Sequence, residues 1–190
     1  MNNISILVAL AATSLATTSF AQETSLSTGP SHEASKNWNV GGGFQTLSVS
    51  NDDEDLDFGG LTFSAQYSFS NNYAIRASVH TLENDDFSDF TSDSFDLSLY
   101  YGTGLLDEGF KAYIGAGLFS DSWELGSFSG DESFSGFLLS GGVGYSWNYV
   151  AVDFIIGARA ASDYADLIQE AGGSGTITAI TTSLVLSARF

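Results

Sequence analysis

Residues 61–69 read LTFSAQYSF, from Leu61 to Phe69, and alternate strictly between apolar and polar side chains. Successive side chains of a β-strand point to opposite faces, whereas a helix with one apolar face repeats every three to four residues. A period of two therefore predicts a strand here, near residues 58–70, with one apolar and one polar face.

The same alternation recurs seven more times between Trp38 and Phe190, and no long helical period interrupts it. These segments lie near residues 37–50, 73–80, 95–101, 110–118, 137–147, 150–159 and 180–190. Strands of about ten residues can cross a bilayer when tilted, and no backbone group can stay unpaired in lipid. The pattern thus predicts an all-β fold, an eight-stranded antiparallel up-and-down transmembrane β-barrel.

The connections between these segments alternate in kind. Short ones contain Asn71-Asn72, residues 102–109 and Asn148. The others are longer and acidic, and together they hold 17 of the 23 Asp and Glu residues; they cover about residues 51–57, 83–93, 120–133 and 163–175. Short periplasmic turns and long external loops are typical of outer-membrane barrels.

Composition excludes several classes of function. The net charge is −18, so a nucleic acid partner is not expected, because little in the chain could neutralise phosphates. The chain contains no cysteine, which excludes disulfides and thiol catalysis. No cofactor is expected.

The first segment has the features of a secretory signal. The apolar run Ile4–Leu15 is too short for a membrane-spanning helix, and Ser19-Phe20-Ala21 places small residues at a cleavage site. We predict a signal peptide over 1–21, a flexible periplasmic leader over 22–36 and an outer-membrane barrel over 37–190.

Aromatic residues collect where the predicted strands meet the short turns. Amphipathic rings prefer the headgroup region of a bilayer, and transmembrane barrels carry such girdles. The predicted girdle consists of Trp38, Phe69, Tyr73, Tyr101, Phe110, Trp147, Tyr149 and Phe190.

Residues 38–190 resemble the OmpA/OmpX-like family of small outer-membrane β-barrels. The resemblance rests on the strands and on the C-terminal pattern Leu184-x-Leu186-x-Ala188-x-Phe190, where an apolar residue recurs at every second position before a terminal aromatic. It implies integral insertion in the outer membrane of a Gram-negative bacterium, in contact with lipids and lipopolysaccharide. It also implies that the barrel-assembly machinery recognises the strand ending at Phe190.

The polar faces of the predicted strands carry most of the basic residues. A charge facing lipid would cost about 2–4 kcal/mol near the midplane, so these side chains are expected inside the barrel, where unpaired charges are also costly. We predict that Arg76 pairs with Asp96 or Asp153. The predicted interior network consists of Gln66, Arg76, His80, Asp96, Lys111, Asp153 and Arg159, with Arg189 on the same face.

Two patterns raise the question of catalysis or metal binding. His80 with Ser78 and Glu83 forms a weak triad candidate, but the lipid A deacylase barrels have Ser where this chain has Leu82. The sequence therefore favours a structural His80 and no enzyme activity.

Asp53-x-Asp55-x-Asp57-x-Gly59 is similar to a calcium loop, with its glycine one position late and the non-acidic Ser64 at the twelfth position. No specific metal site is predicted, although the acidic loops could bind divalent cations diffusely. The loops also carry Phe87, Phe90, Trp123 and Phe128, which fit either an adhesive surface or a second girdle.

The sequence favours a non-enzymatic envelope protein that stabilises the outer membrane and presents acidic loops for adhesion or cation interaction. The alternatives are a narrow porin-like channel and a lipid-modifying enzyme. A soluble secreted barrel is the rival fold, but Phe190 and the girdle would have no role in it.

Overall fold

The computed structural model describes residues 36–50, 55–84, 90–125, 131–160 and 178–190. Within these ranges the chain forms eight β-strands: β1 Trp38–Ser50, β2 Asp55–Ser68, β3 Tyr73–Asn84, β4 Phe90–Thr103, β5 Gly109–Leu125, β6 Asp131–Ser146, β7 Val150–Arg159 and β8 Thr178–Arg189. The predicted signal peptide and most of the predicted leader lie outside the described residues.

The strands close into a single antiparallel barrel. Each strand pairs with its neighbours in sequence, and β1 pairs with β8 from Asn39↔Arg189 to Ser50↔Thr178. This confirms the predicted fold class. No helix of the described residues is both long enough and apolar enough to cross a membrane.

The period of two separates the outer and inner surfaces as predicted. On β8, Leu184 and Leu186 are exposed, whereas Ser183, Val185 and Ser187 are buried. The exterior is the apolar surface of this molecule, an inversion of a soluble barrel. The interior is filled by the opposite set of side chains.

Six strands extend further toward the loops than the sequence pattern indicated, among them β3, which continues to Asn84, and β8, which begins at Thr178. The predicted loop 120–133 is wrong at both ends, since β5 continues to Leu125 and β6 begins at Asp131. Similarly, β2 begins at Asp55 and β4 at Phe90. Outside a bilayer a strand needs no apolar outer face, so polar outward residues such as Ser120 and Ser122 conceal the strand from pattern reading.

The seam that closes the barrel depends on glycine in β1. A Cβ added to Gly41 would lie 2.1 Å from the Leu186 carbonyl oxygen, and one added to Gly43 would lie 1.8 Å from that of Leu184. Both contacts are with backbone and cannot be relieved by a side-chain rotation. These glycines therefore permit the close approach of β1 and β8.

The β4–β5 turn folds back beneath the barrel. Gly104 has φ 72° and Gly109 has φ 115°, backbone conformations that favour glycine. Between them, Leu105 is buried inside the barrel, and its carbonyl oxygen accepts a hydrogen bond from Ser68 Oγ at 3.0 Å. The turn thus places an apolar side chain in the barrel mouth on the side of the short turns.

Arg189 ties the end of β8 to two of the short turns. Its guanidinium donates to the carbonyl oxygens of Trp147 and Leu106, each at 2.6 Å. The last basic residue of the chain thereby binds the β6–β7 and β4–β5 turns together.

Candidate functional site

The barrel interior consists of three layers. Near the short turns, Leu105 packs with Ala74, Tyr100 and Tyr113. Charged and polar side chains fill the middle. Near the long loops an apolar cluster closes the barrel; we call it the loop-side plug, and it contains Leu47, Val49, Phe58, Leu82, Phe119, Leu138 and Ala179.

One group of charges surrounds a single carboxylate, and we call it the Asp153 cluster. Lys111 Nζ lies 2.8 Å from Asp153 Oδ2, and Arg76 Nη2 lies 3.5 Å from Asp153 Oδ1. Tyr113 donates its hydroxyl proton to Asp153 Oδ1 at 2.6 Å. The Nε and Nη2 groups of Arg76 also donate to Gln66 Oε1, at 3.1 and 2.7 Å.

Aromatic rings hold the Arg76 guanidinium in place. Its Cζ lies 5.2 Å from the ring centre of Tyr100 and 5.5 Å from that of Tyr113. The two rings meet edge to face at 4.9 Å. A guanidinium is attracted to the negative faces of such rings, so Tyr100 and Tyr113 stabilise the positive charge of Arg76 beside Asp153.

A second group, the Asp96 cluster, lies closer to the long loops. Arg159 Nη2 lies 2.9 Å from Asp96 Oδ1, while Arg159 Nη1 contacts both oxygens of Asp121 at 2.8 and 2.7 Å. His80 Nε2 lies 3.1 Å from Asp96 Oδ2. Arg159 therefore bridges two carboxylates that would otherwise repel each other.

The two clusters balance in charge. Among the described residues their ion pairs join the cations Arg76, Lys111 and Arg159 to the carboxylates Asp96, Asp121 and Asp153. The Asp153 cluster has one cation in excess, and the Asp96 cluster has one carboxylate in excess before His80 is counted. Removing one member of a buried pair leaves an uncompensated charge, so each cluster is fixed as a unit.

All seven residues of the predicted interior network lie on the interior face and are buried. Arg76 contacts Asp153 and not Asp96, which instead contacts Arg159 and His80. The sequence pattern does not reveal Asp121, because it predicts a loop over residues 120–133. Lys111 and Tyr113 face inward, and every second residue of a strand faces the same side. Extending this strand to residue 121 would have placed Asp121 in the interior.

Sequence reasoning also missed the loop-side plug. Leu47 and Val49 lie on the same parity as the inward Gln45, and Leu82 on that of His80. The signal was present as apolar residues on the inward parity of the strands near the long loops, a pattern that a fully polar lumen would not produce.

The triad candidate at His80 is not assembled. His80 faces the interior, whereas Glu83 lies at odd parity on the exposed outer face of β3. A strand places residues three apart on opposite sides, so Glu83 cannot orient His80. The carboxylate partner of His80 is Asp96.

The eight predicted girdle residues are all exposed on the exterior at the end of the short turns. Some of these rings contact each other, as Tyr73 and Tyr101 do at 5.2 Å, and Trp147 also contacts Tyr145 at 4.8 Å. Lys36 extends the girdle, with its Nζ 3.9 Å from the ring centre of Tyr149.

The calcium-like pattern falls largely outside the described part of the structure, since Asp53 and the side chain of Asp55 are not described and Asp57 is exposed on β2. Within the described ranges, no group of three or more His, Asp and Glu residues is arranged to hold a metal ion. Phe87 and Phe128 and the side chains of Phe90 and Trp123 also lie outside what is described.

A family model described as "Outer membrane protein beta-barrel domain" matches residues 6–190. No curated protein gives a significant match.

Solved structures with the same fold include Neisserial surface protein A, at 18% identity and a TM-score of 0.58. They also include Ail, the attachment invasion locus protein of Yersinia pestis (17%, 0.54), and the N-terminal β-barrel domain of Pseudomonas aeruginosa OprF (14%, 0.52). Each match covers 83% of this chain and 100% of the other. Ail has also been crystallised with the heparin analogue sucrose octasulfate.

Proposed function

Because the chain belongs to the family of outer membrane protein β-barrel domains, we propose that it is a non-enzymatic integral protein of the Gram-negative outer membrane. In this proposal the barrel stabilises the membrane and presents acidic loops to cations or cationic surfaces outside the cell. Lipids and lipopolysaccharide surround the apolar exterior.

The closed interior is the observation that carries this proposal. The Asp153 and Asp96 clusters fill the middle of the barrel, the loop-side plug covers one end and Leu105 enters the other. A barrel of eight strands has room for little besides its own side chains. Any binding function is therefore expected at the exterior surface and in the loops.

The charge of the loops indicates the chemistry of a partner. The strand ends that lead into the long loops already expose Asp57, Glu83 and Asp93 on the outer face. A polyanion such as the sulfated sugar bound to Ail would be repelled by such a surface. Divalent cations and basic peptides are the complementary partners.

Loop charge can be tested directly by binding. We expect the mature barrel in nanodiscs to bind a lysine-rich peptide, with an affinity that falls as salt rises. A variant with Asp52, Asp53, Glu54 and Asp55 changed to Asn or Gln should bind at least several-fold more weakly. The control changes Asp107 and Glu108 on the short-turn side. Equal binding by all three proteins would refute the proposal.

A narrow channel has less support than a closed structural barrel. Three obstacles, at the plug, the ion pairs and Leu105, lie in series along the axis. We expect the protein in planar bilayers to show no steady conductance, and Arg76→Met alone to open none because the plug and Leu105 remain. Steady conductance of the unaltered protein would favour the channel instead.

A further inference from the structure

A small cavity lies between the two charged clusters, in the interior of the barrel. Its volume is about 30 Å³. Its polar lining includes Gln45, Arg76, His80, Asp96 and Ser98. Arg76 belongs to the Asp153 cluster and His80 to the Asp96 cluster, so the cavity separates the two.

Four polar groups of the lining have no hydrogen-bond partner within the described residues: Gln45 Nε2, Arg76 Nη1, His80 Nδ1 and Ser98 Oγ. Each of these residues is at most 5% exposed. A buried polar group without a partner costs about 1–3 kcal/mol, and such groups in native proteins are usually satisfied by protein or ordered water. Four of them around one cavity indicate a bound molecule that satisfies them.

We propose that this cavity is a binding site for about two ordered water molecules, which join the Asp153 and Asp96 clusters into one hydrogen-bonded network. One water needs roughly 10–15 Å³, so the volume suits a pair and excludes an organic ligand. The waters accept hydrogen bonds from Gln45 Nε2 and Arg76 Nη1 and form hydrogen bonds with His80 Nδ1 and Ser98 Oγ.

Water suits this lining better than an ion does, because water both donates and accepts hydrogen bonds. His80 Nε2 lies 3.1 Å from Asp96 Oδ2, which leaves Nδ1 as the ring nitrogen without a protein partner. A sodium ion would be repelled by the Arg76 guanidinium, and a halide would be repelled by the Asp96 carboxylate; both groups line the cavity. The overall balance of the clusters also leaves no net charge for an ion to neutralise.

Neighbouring contacts fix the lining in this geometry. Ser183 Oγ donates to Gln45 Oε1 at 2.7 Å, which turns the Gln45 amide nitrogen toward the cavity. Ser98 is the β4 register partner of Arg76 on β3. The four unpartnered groups thus come from β1, β3 and β4, and their neighbours hold them in place before water binds.

Crystals of the mature barrel grown in sodium bromide provide the test. We expect water density within hydrogen-bond distance of the four groups and no anomalous bromide signal in the cavity. A bromide peak would show an anion site, and an empty cavity would show that the groups stay unsatisfied; either result overturns the proposal.

A matched pair of variants localises the water. Ser98→Ala should remove or displace the water bound at that hydroxyl, whereas Ser94→Ala should leave the cavity unchanged, because Ser94 is also buried and unpartnered but lies outside the lining. Unchanged water in both variants would contradict the assignment.

NMR in micelles gives a second measurement that needs no crystal. The side-chain amide protons of Gln45 should show cross-relaxation with long-lived bound water. The absence of that signal at an assigned Gln45 amide would also refute the site.

Discussion

At the residue scale, the interior is governed by the cost of burying charge. Asp153 is the clearest example, since two cations and a phenol depend on one carboxylate. Parity along the strands was enough to predict that Asp153 and Arg76 face inward. The choice of Asp153 over Asp96 as the partner of Arg76 was not predictable, because it depends on how far each strand is shifted along its neighbour.

Removing the shared carboxylate should be strongly destabilising. We expect Asp153→Asn to lower the free energy of unfolding by about 3–5 kcal/mol, because Lys111 and Arg76 are left buried without a counter-charge. Urea unfolding in lipid vesicles, followed by tryptophan fluorescence, would measure this. Glu108→Gln is the control: the residue is exposed in a turn, and a change within about 0.5 kcal/mol is expected. Equal effects of the two substitutions would contradict the ion-pair account.

The two clusters should respond differently to the loss of a cation. Arg159→Met leaves Asp96 and Asp121 facing each other, so about 3–5 kcal/mol of stability should be lost. Lys111→Met leaves Asp153 paired with Arg76 and bonded by Tyr113, and about 1.5–3 kcal/mol should be lost. The same unfolding assay would compare the two losses of stability. A larger loss for Lys111→Met than for Arg159→Met would show that the residues are assigned to the wrong clusters.

At the scale of the elements, strands were predictable where one face meets the apolar exterior. Beyond that band the outward residues are polar, so the alternation is lost, and β5 and β6 continue where the sequence predicts loops. The inward turn of Leu105 was also beyond prediction, since an isolated Leu in a Gly-rich turn does not reveal which way it points.

The seam between β1 and β8 should be sensitive to one added methyl group. Gly43→Ala should cost roughly 1–3 kcal/mol, because its Cβ would meet the backbone of Leu184 and force the strands apart. Gly141→Ala is the matched control, with its nearest neighbour at 3.5 Å and a change within about 0.5 kcal/mol expected. Refolding yield into vesicles and urea unfolding would measure both. Equal behaviour would mean that the seam is looser than described.

Leu105 in the β4–β5 turn should stabilise the barrel by filling its end on the side of the short turns. Leu105→Ala should lose about 2–5 kcal/mol, since it leaves a cavity against Tyr100 and Tyr113. Leu106→Ala, at a partly exposed neighbour, should lose clearly less. Denaturant unfolding would measure the stability of both variants. Equal losses would show that Leu105 is not packed inside the barrel.

At the scale of the whole molecule, the direction of the side chains determines every other conclusion. The apolar set faces outward and the charged set is enclosed, as the alternation in β2 indicates. Fold class and family followed from that pattern together with the C-terminal strand. The binding partner of the loops could not be predicted from the sequence. The negative charge of the loops indicates that a ligand is positively charged, but loops without a regular pattern do not indicate its shape.

Spin labels along β2 test this central claim most directly, since the chain has no native cysteine to interfere. Single variants Leu61→Cys, Phe63→Cys, Thr62→Cys and Ser64→Cys would each be labelled and placed in lipid vesicles. Collision with dissolved oxygen, which concentrates in hydrocarbon, should be high at 61 and 63 and low at 62 and 64. A reversed or flat pattern would mean that the apolar side chains do not face lipid, and the account would be contradicted.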